Sequence, residues 1–442
     1  MASLPELPAV TSLSKYVTRV LGQNPSKFTL QGTNSYLVHH PHSSRLILID
    51  TTGPSSSASL SPTALETYLS SLRSILVNQQ PDKPARHVSD VILTHWHRDH
   101  TDALVHVLRS LTSTDNASRQ GRGPSPPPPI RVWKFPCAST TTSADETTAW
   151  KSEHGRDAAL ERELTDVPSD VLEAAKADPA GGRIHRLRHG QRFRLAADDV
   201  GSSSSQQQTE KDDSAIELEV VHTPGHTSDS ICLVLRAIPP PPSSSASDPA
   251  APPLGVFTAD TVLGHGTAVF ASLSAYLASL TSLISTLSSS STATDPQHDL
   301  SLIPLFPGHG AVVEDGLGKI KEYRAHRLER ERQVVLALKK AHTAEGRAHE
   351  GGEGGSTLTA DELVDQIYGT TIPSSLKPAA THGCLLHLAK LLEEGIVKRH
   401  ARPRPNSSHA QPVPALPKEG KEGDEHEEVQ IPEGWYDGWS IA

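Results

Sequence analysis

The sequence predicts an α/β fold with a small C-terminal helical module, and three observations predict it. Short apolar runs rich in Val, Ile and Leu alternate with segments of helical period. Histidine and aspartate follow several of those runs directly, as expected where an open α/β fold gathers a site at its strand ends. Finally, a Gly/Glu-rich linker at Gly346–Gly355 separates two short helical patterns from everything before it.

In chain order, Val17–Leu21, Ser35–Val38 and Leu46–Ile49 read as strands divided by Gly, Asn and Pro turns. Leu65, Leu69, Leu72 and Leu76 give Thr63–Val77 a helical period. Val88–Leu93 is a strand with a helix, Ala103–Leu111, behind it. Ile130–Phe135 reads as a strand, and the weakly patterned stretch after it offers one helix around Asp170–Ala177. Strands return at Arg183–Leu187, Gln191–Leu195, Ile216–His222, Ser230–Leu235 and Gly255–Ala259. The longest uncharged stretch follows, but Leu273, Tyr276, Leu277, Leu280, Ile284 and Leu287 line one helical face among Ser and Thr. That pattern reads as an amphipathic surface helix, not a membrane span. A strand at Leu300–Phe306 precedes a long charged helix, Gly316–His342. The helices Thr359–Tyr368 and Gly383–Gly395, ending in Ile396–His400, resemble a winged-helix module.

A length of 442 residues suggests about two to three domains. The composition lowers that count, because only 36% of residues are hydrophobic and 4% aromatic, against 35 Pro and 30 Gly. The organisation expected is one catalytic domain over 1–343, a linker at 344–356, the helical module at 357–400 and a largely disordered tail at 401–442. Insertions at about 115–129, 201–214, 239–253 and 288–298 carry Ser and Pro runs too poor in apolar surface to order themselves. Trp435, Tyr436 and Trp439 are unusual for such a tail, and either dock on the body or stand exposed. A net charge of −10 gives no bulk attraction to nucleic acid or anionic membrane. Cys137, Cys232 and Cys384 are too few and too far apart for a disulfide framework, which fits a reducing compartment. Met1–Lys15 has no basic-then-apolar pattern and is not Arg-rich, so a soluble, cytoplasmic protein is expected.

The chemistry is concentrated in Thr94-His95-Trp96-His97-Arg98-Asp99-His100, immediately after an apolar strand. A dense set of imidazoles with a carboxylate suits zinc. A turn leaving a strand can aim His95 and His97 at one ion, and Asp99 and His100 at a second. His226 follows Ile216–His222, Asp260 follows Gly255–Ala259, and His309 follows Leu300–Phe306. Asp50 stands in the same position after Leu46–Ile49.

His-x-His-x-Asp-His, Thr223-Pro224-Gly225-His226-Thr227, a lone Asp260 and Gly308-His309-Gly310 together resemble the metallo-β-lactamase superfamily. Asn24–Asn34, Asp260-Thr261-Val262-Leu263-Gly264, Tyr323–Arg332 and the C-terminal helices are similar to its β-lactamase-like-protein branch. The resemblance spans roughly Tyr16 to His400 outside the insertions and implies an αβ/βα sandwich with a binuclear zinc site along one edge. It implies that His95, His97 and His226 hold one ion and Asp99, His100 and His309 the other, with Asp260 bridging and Asp50 orienting a ligand histidine. Asp99 and His100 are then the candidate catalytic side chains, and a hydroxide between the two ions is the expected nucleophile. Cys232 and Cys384 are left as core residues.

The resemblance is imperfect. Asp102-Ala103 stands where the family usually has a Gly pair, and Asp102 reads as a solvated loop residue. Asp50-Thr51-Thr52-Gly53 replaces an Asp-Thr-Gly turn, and Ser230 replaces a histidine often found there. His39, His40 and His42 read as a solvated hairpin turn, and His222 as a strand-end residue.

The branch includes fungal thioesterases that release aromatic polyketides from an acyl carrier protein, and animal endoribonucleases. Thioester hydrolysis is the preferred expectation, with a polyketide synthase's carrier protein as partner. A thiol of pKa ~8.5 leaves as thiolate without a strong general acid, and the motifs show no dedicated acid. Cleavage of single-stranded RNA is the alternative. Gly316–His342 carries eight Lys and Arg against three Glu, enough to track a phosphate backbone, although pairs such as Arg327–Glu331 also suit an ordinary exposed helix. A metal-free binding protein is disfavoured because all seven ligand positions carry ligand-type residues.

Overall fold

The computed structural model describes residues 4–54, 60–76, 86–112, 128–137, 153–175, 182–198, 215–238, 253–288, 303–345, 357–369, 372–373, 376–402 and 436–442. The described elements are, in order, β1 Val10–Ser12, β2 Val17–Leu21, β3 Asn34–His39, β4 Arg45–Ile49, α1 Pro62–Leu76, β5 His87–Leu93, α2 Arg98–Thr101, α3 Leu104–Thr112, β6 Arg131–Lys134, α4 Glu153–Thr165, β7 Ile184–Arg186 and β8 Arg192–Leu195. They continue with β9 Ala215–His222, β10 Ile231–Ile238, β11 Pro253–Ala259, α5 Leu273–Ser288, β12 Leu305–Pro307, α6 Gly316–Glu345, α7 Ala360–Tyr368, α8 Lys377–Glu393, β13 Val397–His400 and β14 Gly438–Ile441.

By their contacts these elements form two units. The first, residues 1–270 and 278–321, contains two sheets. One has seven strands in the order β1 to β7, antiparallel through β4 and parallel from β4 to β7. The other has five strands in the order β12-β11-β10-β9-β8, with only β11 and β12 parallel. Alternation along β4 shows how the sequence builds two cores from one strand. Leu46 and Leu48 face one cluster, where Tyr68 and Leu72 of α1, Leu104 and Leu108 of α3, and Leu160 and Leu164 of α4 pack. Ile47 and Ile49 face the opposite cluster, where Tyr36 and Ile92 meet Leu218, Leu233, Phe257 and Phe306 of the second sheet. Parallel strands need both faces covered, and this layering supplies that cover.

The second unit comprises residues 271–277 and 322–442. Its core gathers Val334 and Leu338 of α6, Leu363 of α7, Leu385 and Leu388 of α8, Val397 of β13 and Trp439 of β14. Thr359 opens α7 with a capping box completed by Glu362. The unit boundary therefore falls inside α6, upstream of the break expected near residue 343. β14 pairs antiparallel with β13, and Trp439 is buried. The end of the chain is thus a strand of this unit, not part of a tail. Residues 403–435, Trp435 among them, lie outside the described residues, as do most of the expected insertions and linker.

Two further expectations are corrected. Among the described residues 170–175 of the helix expected around Asp170–Ala177 there is only a turn and an extended segment, and the described helix in this region is α4. His39 and His40 are buried, with the Tyr16 ring 6.3 Å from that of His40; only His42 is exposed. Burial pushes the His39 imidazole down to about 4, with Arg86 adding to the effect. On α6, Arg332 pairs with Glu329, and Glu331 takes Lys390. Cys232 and Cys384 are buried as expected.

Candidate metal centre

Each expected site residue follows a strand end of the first unit. Asp50 follows β4, His95 and His97 follow β5, His226 follows β9, Asp260 follows β11 and His309 follows β12. Asp99 and His100 lie in the short helix α2. Two of the turns hold left-handed backbone at non-glycine residues, Asp50 with φ 56° and Ala259 with φ 44°. That conformation costs energy outside glycine, and it redirects the chain just where Asp50 and Asp260 must face inward.

The side chains form two adjoining groups, His95/His97/His226/Asp260 and Asp99/His100/His309, each with ligand-type atoms within 4.8 Å of one another. In the first group, His97 Nδ1 lies 3.0 Å from His95 Nε2 and 2.9 Å from His226 Nε2. The outer nitrogens of the latter two are already engaged. His226 Nδ1 donates to Val269 O at 2.7 Å. Thr94 Oγ1 donates to Asp50 Oδ2 and so accepts from His95 Nδ1 at 3.1 Å. Their inward Nε2 atoms therefore present lone pairs. In the second group, His100 Nδ1 donates to Asp50 Oδ2 at 2.8 Å, and its Nε2 faces His309 Nε2 at 3.3 Å. Asp260 lies between the groups, Oδ2 lying 3.6 Å from His226 Nε2 and Oδ1 lying 3.4 Å from His309 Nε2.

This arrangement fits divalent metal ions. The inward lone pairs of His95 and His226 converge on His97 Nδ1, a cluster of imidazole nitrogens that a cation could bind. Asp260 Oδ1 is buried with no hydrogen-bond partner, as befits a ligand atom. Gly308 lines the same space: a Cβ there would lie 2.5 Å from Asp260 Oδ1 and 2.9 Å from His100 Cε1. Imidazole and carboxylate donors at this density suit zinc-like ions.

The electrostatics agree. Burial, reinforced by neighbouring histidines, pushes His95 well below the usual imidazole range and His97 down to about 3, which keeps their lone pairs available. Burial also opposes charge on His100 and His309, but carboxylates prevail: Asp50, Asp99 and Asp260 hold His100 well above its usual range, and Asp260 and Asp99 lift His309 to about 9. Burial favours the neutral forms of Asp99 and Asp260, and the same two histidines reverse it, taking Asp99 down to about 2 and Asp260 well below its usual range.

Two supporting features were not legible in the sequence. Asp102, expected to be solvated, is 18% exposed and pairs with both Arg98 and Arg156, so it clamps α2 to α4. Ser230 Oγ accepts from Thr227 N at 3.1 Å and closes the turn that carries His226. His222 bonds Ser228 O and stacks on Phe135, outside both ligand groups.

Comparison with known proteins follows the same division. Residues 28–132 match the metallo-beta-lactamase superfamily, and residues 359–404 match the beta-lactamase associated winged helix domain. A beta-lactamase domain protein from Burkholderia ambifaria shares the fold, with a TM-score of 0.50 at 17% identity over 99% of this chain and 95% of that one. The chain is a member of the metallo-β-lactamase superfamily of hydrolases, with the αβ/βα fold and a C-terminal winged helix.

Within the superfamily it belongs with the β-lactamase-like-protein-2 family. It is 30% identical over 389 residues to the beta-lactamase-like protein 2 homolog of Drosophila melanogaster, covering 88% of this chain and 92% of that one. It is also similar to an atrochrysone carboxyl ACP thioesterase of Claviceps purpurea (strain 20.1), 26% identical over 378 residues, 86% of this chain and 80% of that one. A thioesterase of the same description from Passalora fulva is 27% identical over 380 residues, 86% of this chain and 76% of that one. No described helix is long and apolar enough to cross a membrane.

Proposed function

We propose that this chain is a two-zinc hydrolase that cleaves the thioester joining an acyl chain, of the aromatic polyketide class, to an acyl carrier protein. The observation that carries the reading is the convergence of seven ligand-type side chains from four separate loops into two adjoining groups. In this reading His95, His97 and His226 would hold one ion and Asp99, His100 and His309 the other, with Asp260 near ligand atoms of both groups. When bound, the ions supply an activated water and an electrophile for the carbonyl oxygen.

The chain's own residues supply the geometry. Asp50 fixes the ring of His100, and through Thr94 that of His95. Val269 O fixes His226. Gly308 keeps the floor of the site open. A thioester suits such a centre because the departing thiol, of pKa ~8.5, leaves as thiolate unaided. Relatives named ACP thioesterases along most of their length support the substrate class. Two of the basic residues on the helix that favoured RNA have partners within the second unit. Arg332 pairs with Glu329, and Arg330 lies over the Tyr368 ring.

The test is a parallel assay of zinc-loaded protein and a His97→Ala control, on an aromatic polyketide tethered to its carrier protein and on single-stranded RNA. Zinc-dependent release of the acyl chain with intact RNA is the expected result. RNA cleavage with an untouched thioester would replace the thioesterase reading with the endoribonuclease one.

A further inference from the structure

Lys134 closes β6 and lies in register with Leu93, the last residue of β5 before Thr94 and His95. Its side chain is 3% exposed, and its Nζ lies 2.5 Å from Asp229 Oδ2 and 2.6 Å from Asp157 Oδ1. Asp157 belongs to α4. Asp229 is fully buried in the loop between β9 and β10, three residues after His226. Its second oxygen, Oδ1, accepts from Thr227 Oγ1 at 2.7 Å, and that hydroxyl meets Ser230 Oγ at 2.6 Å. A buried chain of polar contacts thus runs from Lys134 through Asp229 to the residue bonded to His226.

Cys137, Asp157 and Asp229 form a third group of ligand-type atoms. The Lys134 ammonium already stands among them, 3.4 Å from Cys137 Sγ, so the cation of this group is part of the chain. Burial works against that charge, but the carboxylates of Asp229 and Asp157 overcome it and hold the ammonium above the ordinary lysine range. A buried ion pair is a poor source of stability, and apolar residues of similar volume often serve as well. What a buried pair does supply is direction and register, and the loop it grips carries a candidate metal ligand.

We propose that Lys134 is a positioning residue of the three-histidine site: through Asp229 it holds the His226 loop against the sheet end that carries His95 and His97. The inference rests on the two-metal reading, and the test separates the two. The full-length chain, cleared of metal, is titrated with zinc against a chromophoric chelator, and cobalt(II) spectra report the coordination of each site. The unaltered chain takes up two equivalents. Lys134→Met weakens one of them about 10–100-fold, the range for residues that orient ligands, and leaves the other unchanged. On a His97→Ala background, which already lacks that site, Lys134→Met causes no further loss.

Asp229→Asn keeps the acceptor for Thr227 but loses the charge that grips Lys134, so it weakens the same equivalent and decides the matter if Lys134→Met does not fold. The double variant Lys134→Met/Asp229→Asn separates tethering from charge balance. It stays weak if the tether matters and recovers wild-type affinity if only an uncompensated buried charge was harmful, which would overturn the proposal. Wild-type affinity at both sites in Lys134→Met and Asp229→Asn, or equal loss from both sites, would overturn it as well. If the unaltered chain binds no zinc, the two-metal reading fails and takes this proposal with it.

Discussion

Replacing Asp50 by Asn changes one oxygen to an NH2 at the most heavily used acceptor of the site. Asp50 is 2% exposed and accepts three hydrogen bonds, from Thr94 N at 2.7 Å, Thr94 Oγ1 at 2.7 Å and His100 Nδ1 at 2.8 Å. Asn tolerates the positive φ at this position, so the backbone turn survives. An amide, however, cannot accept all three. If its oxygen keeps Thr94 N, its NH2 faces His100 Nδ1, which must then accept. The His100 proton moves to Nε2, the atom that faces His309 and Asp260. If the amide is flipped, its NH2 opposes the Thr94 N–H. Either way the cost is one hydrogen bond to a charged group, ~1.5–3 kcal/mol, or about 10–100-fold in affinity. The assay is zinc titration of full-length Asp50→Asn against a chromophoric chelator. Because Asp50 orients His100 directly and His95 through Thr94, one or both equivalents should weaken by that factor, with the thermal melt of the metal-free protein shifting much less. Wild-type affinity for both equivalents would refute the role given to Asp50.

Three further outcomes follow from the same reasoning. Gly308→Ala would place a Cβ 2.5 Å from Asp260 Oδ1, so zinc uptake should fall more than 10-fold while far-UV circular dichroism stays unchanged. His387, buried in the second unit near Arg327 and Arg330, is pushed down to about 3, chiefly by burial. Its folded pKa lies below the unfolded value of ~6.5, so its contribution is intact above that pH and is lost as the pH falls toward 3; near pH 5.5 the loss is about 1.4 kcal/mol. Melts of the full chain at pH 7.5 and 5.5 should show this extra acid sensitivity, and His387→Met should lack it. Trp439→Ala should cost about 3–5 kcal/mol in the second unit, seen as lost hydrogen-exchange protection in α7 and α8 with the strands of the first unit unaffected.

The strands and the residues after them were legible because both signals are local. An apolar run and the His or Asp that ends it occupy fewer than ten neighbouring positions, and the fold then needs only to bring the strand ends together. β5 and His95, β9 and His226, and β11 and Asp260 were all read this way. What stayed hidden depends on partners distant in sequence. Asp102 looks like a free loop carboxylate until α4 brings Arg156 to it. Lys134 looks like an ordinary strand-end lysine until the fold places Asp229 2.5 Å away. α4 itself escaped notice because its charged residues follow no clear apolar period. β14 was missed because its partner, β13, lies across the long Pro- and Glu-rich stretch that suggested a tail. His40 misled for a different reason: a histidine triplet beside a turn looks solvated, yet here the chain turns only after His40 is buried.

The central claim is that seven side chains form one two-metal centre, and metal content tests it most directly. Full-length protein purified without chelators, together with His97→Ala and Asp260→Ala, would be measured for zinc per chain by atomic emission, with thioester hydrolysis followed on the same samples. The account predicts two zinc ions in the unaltered chain, one tightly held ion at most in His97→Ala, weakened binding of both in Asp260→Ala, and loss of hydrolysis in step with the metal. Full metal content with full activity in either variant, or no zinc in the unaltered chain after reloading, would contradict it.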